Sequence, residues 1–309
     1  MAPSPETSSK AAPPTGGTLH RGPIPRLRRT TACDTAFRII ARRALGGLAA
    51  NHEATCRGDP VALHQMRIAL THLRTAILFF VPMVSDSARK RVKADLKWLN
   101  SHLGNMRDLD VAIKRLKTAH KRSPQATLSY LAWTAKRAEG HRHLARALKS
   151  NRYQRLVKDT SDWIERGSWS MRKGKVPTRK RASPIAAYSA RKLTQWQKKL
   201  LKKSRKLATM DTEKRHRLRL LNKKLCYSIE AVEELFPDKD LLRQQAARKY
   251  LRRAQKVLGQ LNDDARGHAL ASALEQEGIK ASFPFLSDKR EKRLIRAAAA
   301  AYRKLAALK

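Results

Sequence analysis

In residues 62–82, ALHQMRIALTHLRTAILFFVP, the apolar side chains Leu63, Met66, Leu70, Leu73, Ile77 and Phe80 recur every three or four positions, the period of an α-helix with one buried face. Wound at about 100° per residue from His64, this stripe spans about 160° to 260°, while Arg67, Thr71 and Arg74 fall near 300°, 340° and 280°. The cations therefore border the core instead of lying opposite it. Residues 214–237, KRHRLRLLNKKLCYSIEAVEELFP, repeat the arrangement: His216, Arg219, Lys223 and Tyr227 occupy about 300° to 20°, beside Leu218, Leu221, Leu225, Ile229 and Val232 at about 140° to 220°.

The two segments align at His64-Gln-Met-Arg67 and His216-Arg-Leu-Arg219, 152 residues apart. A second pair follows in the same order, Leu103-Gly104-Asn-Met-Arg107-Asp108 with Leu258-Gly259-Gln-Leu-Asn262-Asp263, at a spacing of 155. Two ordered matches point to a duplicated helical unit.

Working outward, long stretches rich in Ala, Leu, Lys, Arg, Glu and Gln lie between punctuating prolines, with no Asn-Gly hairpin signal, so the fold class is all-α. Helices are expected over 33–55, 61–80, 86–102, 106–121 and 125–165, the last broken near Gly140, and again over 185–207, 211–235, 239–258, 262–277 and 286–307. Gly104 and Gly259 read as helix ends, with Asp108 and Asp263 in the first turn of the helix that follows. Residues 1–30, rich in Pro, Ser, Thr, Gly and Arg, read as a disordered basic tail lacking the apolar core of a secretory signal. Residues 31–165 form a first bundle and 185–309 a second; 166–184 (RGSWSMRKGKVPTRKRASP), without apolar periodicity, are the linker.

Sixty-eight Lys and Arg against 25 Asp and Glu give a net charge of +43 in 309 residues. Self-repulsion on this scale calls for a polyanionic partner: nucleic acid, an anionic membrane or a phosphate polymer. Cys33, Cys56 and Cys226 are odd in number and widely spaced, which argues against disulfides or a zinc cluster and for a reducing compartment. The longest apolar run, Ala76–Val84, is too short for a transmembrane segment. Acids are sparse, and no P-loop, His-Glu-x-x-His or Glu-x-Glu-x-Lys motif is present. Glu275-Gln-Glu277 comes nearest and is off by one position, so neither catalysis nor a metal site nor a cofactor is expected. The C-terminal basic segment 289–309 has a mainly alanine apolar face and is expected to pack on the second bundle.

The motifs HQMRIALTHLR, WLNSHLGNMRDLDV, HRLRLLNKKLCYSIE and VLGQLNDD resemble the CHAD family of histidine-bearing α-helical domains, over roughly Ala32 to Leu308. The resemblance implies two pseudo-symmetric bundles of about four helices each, with basic residues of both halves facing a shared cleft or pore that binds inorganic polyphosphate. It implies a non-catalytic, cytoplasmic protein associated with polyphosphate granules and with other granule proteins as possible partners. Carried over by motif, the binding residues are His64, Arg67 and Arg74, then His216, Arg219, Lys223, Lys224 and Tyr227, followed by Lys97 with Arg107, and Arg252 at the position equivalent to Lys97. Thr71 and His72 stand where the first motif often has consecutive Arg, and Cys226 where the second often has Arg, which thins the cationic face. The acid-free run Arg191–Leu207, with eight cations, is a candidate compensation. The competing reading is a non-specific nucleic-acid binder; it lacks a helix-turn-helix or RNP-like signature, and Trp98, Trp133, Trp163, Trp169 and Trp196 are scattered.

Overall fold

A computed structural model describes residues 25–119, 124–278 and 283–308; the remainder of the expected tail, residues 1–24, lies outside them. The described residues form eleven α-helices: α1 (Cys33–Ala50), α2 (His52–Cys56), α3 (Pro60–Phe79), α4 (Ala88–Ala119), α5 (Pro124–Lys149), α6 (Asn151–Arg166), α7 (Lys175–Ala182), α8 (Ile185–Ser204), α9 (Thr212–Ala231), α10 (Asp238–Gln276) and α11 (Asp288–Ala306). They hold no β-sheet, only an isolated bridge between Ala32 and Pro184. Among them, no helix is long and apolar enough to cross a membrane.

The all-α expectation holds, with several boundaries redrawn. Gly104 and Gly259 do not end helices: α4 and α10 run unbroken through both, merging two expected pairs into single helices. The long segment after Pro124 breaks at Ser150 instead of Gly140, because Ser150 caps α6 by accepting from the Tyr153 amide, an alternative hydrogen bond that favours a helix start. Six helices thus precede the connecting stretch and four follow it, rather than about four on each side.

A continuous hydrophobic core runs from Leu27 to Leu305 and takes in residues of both halves. Leu27, within the expected tail, is buried in it, and Arg29 donates to the Leu235 carbonyl at 3.0 Å, so residues 25–30 belong to the folded body. The connecting stretch is also folded. Trp169 is 0% exposed, stands edge-on to Phe37 at 5.3 Å and donates its indole N–H to the Trp163 carbonyl at 2.9 Å. Asp86 anchors the turn by accepting from Trp163 Nε1, Ser168 Oγ and the Trp169 amide. Arg181, itself buried, closes it from the far side through the carbonyls of Trp169 and Arg172. One buried tryptophan does here what periodicity does in a helix. The C-terminal α11 packs against α10 as expected, burying Ala298, Ala301, Tyr302 and Leu305, with the Tyr302 hydroxyl on Asn222 Oδ1 at 3.2 Å.

Candidate functional site

The helices carrying the two histidine motifs, α3 and α9, are each 20 residues long and pack against one another. Both start at an aspartate N-cap. Asp59 accepts from the Val61 and Ala62 amides, and Asp211 from the Lys214 amide; the two caps are 152 residues apart, the spacing of the motifs themselves. The apolar stripes, Leu63, Met66, Leu70 and Leu73 on α3 and Leu218, Leu225 and Ile229 on α9, are buried. Burial of these stripes fixes each helix's rotation, and rotation in turn sets the bordering cations toward one another.

Polar and aromatic pairings follow along the seam. Lys223 Nζ donates to Thr71 Oγ1 at 3.3 Å and lies 5.4 Å from the Tyr227 ring, which packs on His72 at 4.4 Å. Thr71 and His72 therefore brace the seam at the positions where the sequence lacks further cations. Cys226, the counterpart of Arg74, is buried and contributes nothing to the face. Arg67 donates through Nη1 to the Leu103 and Gly104 carbonyls of α4 at 3.1 Å each, and its other nitrogens make no hydrogen bond among the described residues. His216 Nδ1 meets Asn262 Oδ1 of α10.

The charges crowd. Lys223 is pushed down to about 7 from the usual lysine value, first by burial and then by Arg219, Arg67 and Arg74. His64 is lowered by burial and by Arg107, Arg67 and Lys223. Lys224 is lowered by burial and by Arg74, Lys199 and Lys93. These mutual effects bring His64, Arg67, Arg107, Arg219, Lys223, Arg74 and Lys224 into one cluster, and extend it to Lys93 of α4 and Lys199 of α8, which sequence reasoning does not single out. Lys199 belongs to the basic run over 191–207; Lys93 is one turn before Lys97 on an exposed face of α4. Only the distances between helices distinguish them from other surface lysines.

Acids are closer than composition suggests. Asp108 is raised by burial, with Arg67, Arg266 and Arg219 lowering it and Asp263 raising it, so a pair of carboxylates stands beside Arg67 and Arg219. Arg252 does not join the cluster: Glu230 holds it at 3.1 Å and also holds Arg248 at 3.0 Å, and Glu233 pairs with Arg248 as well. Lys97 is exposed and makes no ion pair among the described residues. Among the described residues no group of three or more His, Cys, Asp or Glu is placed to hold a metal ion. The arrangement offers forked guanidiniums and point-like ammoniums to a multiply charged, oxygen-rich anion.

The sequence profile of the CHAD domain matches residues 39–272. The crystal structure of the CHAD domain from the plant Ricinus communis superposes with a TM-score of 0.74 at 24% identity, covering 95% of this chain and 98% of that one. PptA from Streptomyces chartreusis superposes with a TM-score of 0.55 at 16% identity, covering 90% and 96%. No curated protein matches the chain.

Proposed function

The chain belongs to the CHAD domain family, and from that premise we propose that it binds inorganic polyphosphate, without hydrolysing it, along the cationic seam of α3 and α9 and the adjoining face of α4. The observation that carries this reading is the crowding of Lys223 by Arg67, Arg74 and Arg219. Like charges held together in a partly buried place repel one another, and an anion laid among them relieves the repulsion. A phosphate chain carries about one charge per unit and would engage several of these donors at once, with release of condensed counterions.

Against a single-stranded nucleic acid stands the disposition of the tryptophans. Trp133, Trp163 and Trp169 are buried, and Trp98 and Trp196 are half-buried against Arg152 and Phe79, so none of the five is an open platform for stacking bases. Recruitment to polyphosphate granules in the cytoplasm, among other granule proteins, follows from binding the polymer itself.

Titration of the protein with long-chain polyphosphate at several salt concentrations tests the reading, alongside an assay for released orthophosphate with Mg²⁺ or Mn²⁺ present. Tight, steeply salt-dependent binding with no orthophosphate is expected. Phosphate release would overturn the non-catalytic part, and binding insensitive to salt would overturn the cationic seam.

A further inference from the structure

Gly104 and Gly259 sit in the interiors of α4 and α10, where glycine is among the poorest helix formers. A helical glycine is ordinarily explained by a positive φ or by a neighbour packed where a β-carbon would go. Neither applies. Among the described residues the positive-φ glycines are Gly58, Gly174 and Gly278, and a β-carbon built at Gly104 or at Gly259 meets none of the described residues within 4 Å. The contrast inside the molecule is direct: at Gly140 that β-carbon would lie 3.2 Å from Leu109, and at Gly267 2.3 Å from Phe283.

Position on the helix says what the empty space faces. On α4, Lys93, Lys97, Arg107 and Asp108 fall within about 60° of Gly104, and His64, Arg67 and Lys224 respond to the charges of Arg107, Asp108 and Lys93. On α10, Arg248, Arg252, Gln255, Asn262, Asp263 and Arg266 fall within about 60° of Gly259; the first two are held by Glu230 and Glu233, Asn262 meets His216, and Asp263 is felt by Arg67. Both glycines are half-buried, so the space above them is recessed. Arg67 covers the Leu103 and Gly104 carbonyls with its Nη1, which puts positive charge over backbone that would otherwise repel an anion. Nearby, Arg219 Nε is a buried donor without a partner among the described residues, a group that an incoming oxygen would satisfy.

We propose that Gly104 and Gly259 are the floor over which the phosphate chain passes, and that their missing β-carbons admit a bare phosphate chain more closely than a sugar-phosphate backbone. This inference rests on the polyphosphate reading above. A chain of phosphates alone is narrow along its whole length, whereas each nucleotide adds a sugar and a base, so clearance at the helix surface separates the two polymers where net charge does not.

A size series at both positions tests it: Gly→Ala and Gly→Ser at 104 and 259 together, with Gly46→Ala as control. Gly46 is also helical and open to a β-carbon, but it lies exposed on α1, which carries none of the clustered cations. All the alanine variants should unfold at a temperature about 2 °C higher per substitution, showing that they fold. The paired alanine variant should lose about ten-fold in polyphosphate affinity, and the serine variant more, while single-stranded RNA binding at equal phosphate and the Gly46→Ala protein stay unchanged. Wild-type affinity across the series overturns the floor and leaves polyphosphate binding standing. A wild-type protein that binds RNA and polyphosphate alike removes the premise and the inference with it.

Discussion

Lys93 and Lys97 on α4 stand at the positions matched by Arg248 and Arg252 on α10, 155 residues on in each case, yet their surroundings differ. On α10 the pair is held by Glu230 and Glu233 of the α9 side. The positions 152 residues before those glutamates are Leu78 and Val81 on the α3 side, and Lys93 and Lys97 have no acid partner among the described residues. Two faces of similar formal charge thus differ in the charge they can offer, because an ion pair already made must be broken before a ligand can use it. On the proposed reading the polymer is held mainly by cations of α3, α4 and α8, with Arg219, Lys223 and Lys224 as the contribution of α9 and the open surface at Gly259 as that of α10.

The largest effect is expected at the centre, where both halves contribute equally. Arg67→Ala with Arg219→Ala should lower polyphosphate affinity by 100-fold or more, at about 1.5–3 kcal/mol for each charge-assisted hydrogen bond removed. It should also flatten the slope of log K against log salt by about 0.7 to 0.9 for each phosphate no longer engaged. An unchanged slope removes these residues from the site. Lys97→Ala should weaken binding several-fold and Arg252→Ala by less than two-fold in the same titration; equal effects break the asymmetry. A smaller gain sharpens it: Glu230→Gln frees Arg252, so affinity should rise by about two- to three-fold with a slightly steeper salt slope, and a fall would mean that Glu230 serves the site in another way.

The smallest effect is the dependence on pH, and its sign follows from Lys223. Its value in the fold, about 7, lies below the usual lysine value of 10.5, so the charged form is disfavoured by folding. Below pH 7 the lysine is charged in both folded and unfolded chains and the folded state bears the whole penalty; from pH 7 upward the folded lysine is neutral while the unfolded one remains charged, so stability rises with pH. Bound polyanion favours the charged form, which reverses the direction for affinity: binding is tightest below pH 7 and weakens above it. The unfolding temperature of the free protein should climb between pH 7 and 9 while polyphosphate affinity declines, and Lys223→Met should suppress both trends. A falling unfolding temperature with a rising affinity would contradict the placement of Lys223. His64 is itself lowered from the usual histidine value, so its own contribution falls at more acidic pH than an unperturbed histidine would give.

What can be read without coordinates divides along similar lines. The register of α3 and α9 is legible because a buried stripe and a cationic arc are local patterns, and His64, Arg67 and Lys223 follow from it directly. Gly104 and Gly259 mislead, since a glycine inside a helix and one that ends it look alike until the residues beyond are seen to continue the same turn. Residues 166–184 lack periodicity, yet Trp169 is locked by Phe37, Asp86 and Trp163, partners drawn from three other parts of the chain. Arg252 is singled out by motif, and its pairing with Glu230 spans two helices that no spacing rule connects. Lys93 and Lys199 are two among 68 cations until the packing of α4 and α8 brings them beside Lys224.

The most direct measurement is a competition at about 0.15 M salt, near physiological screening, in which duplex DNA and single-stranded RNA at equal phosphate are added to the complex with long-chain polyphosphate. Neither nucleic acid is predicted to displace the polymer. Displacement by either at parity would mean that the net charge of +43, and not the seam between α3 and α9, accounts for binding.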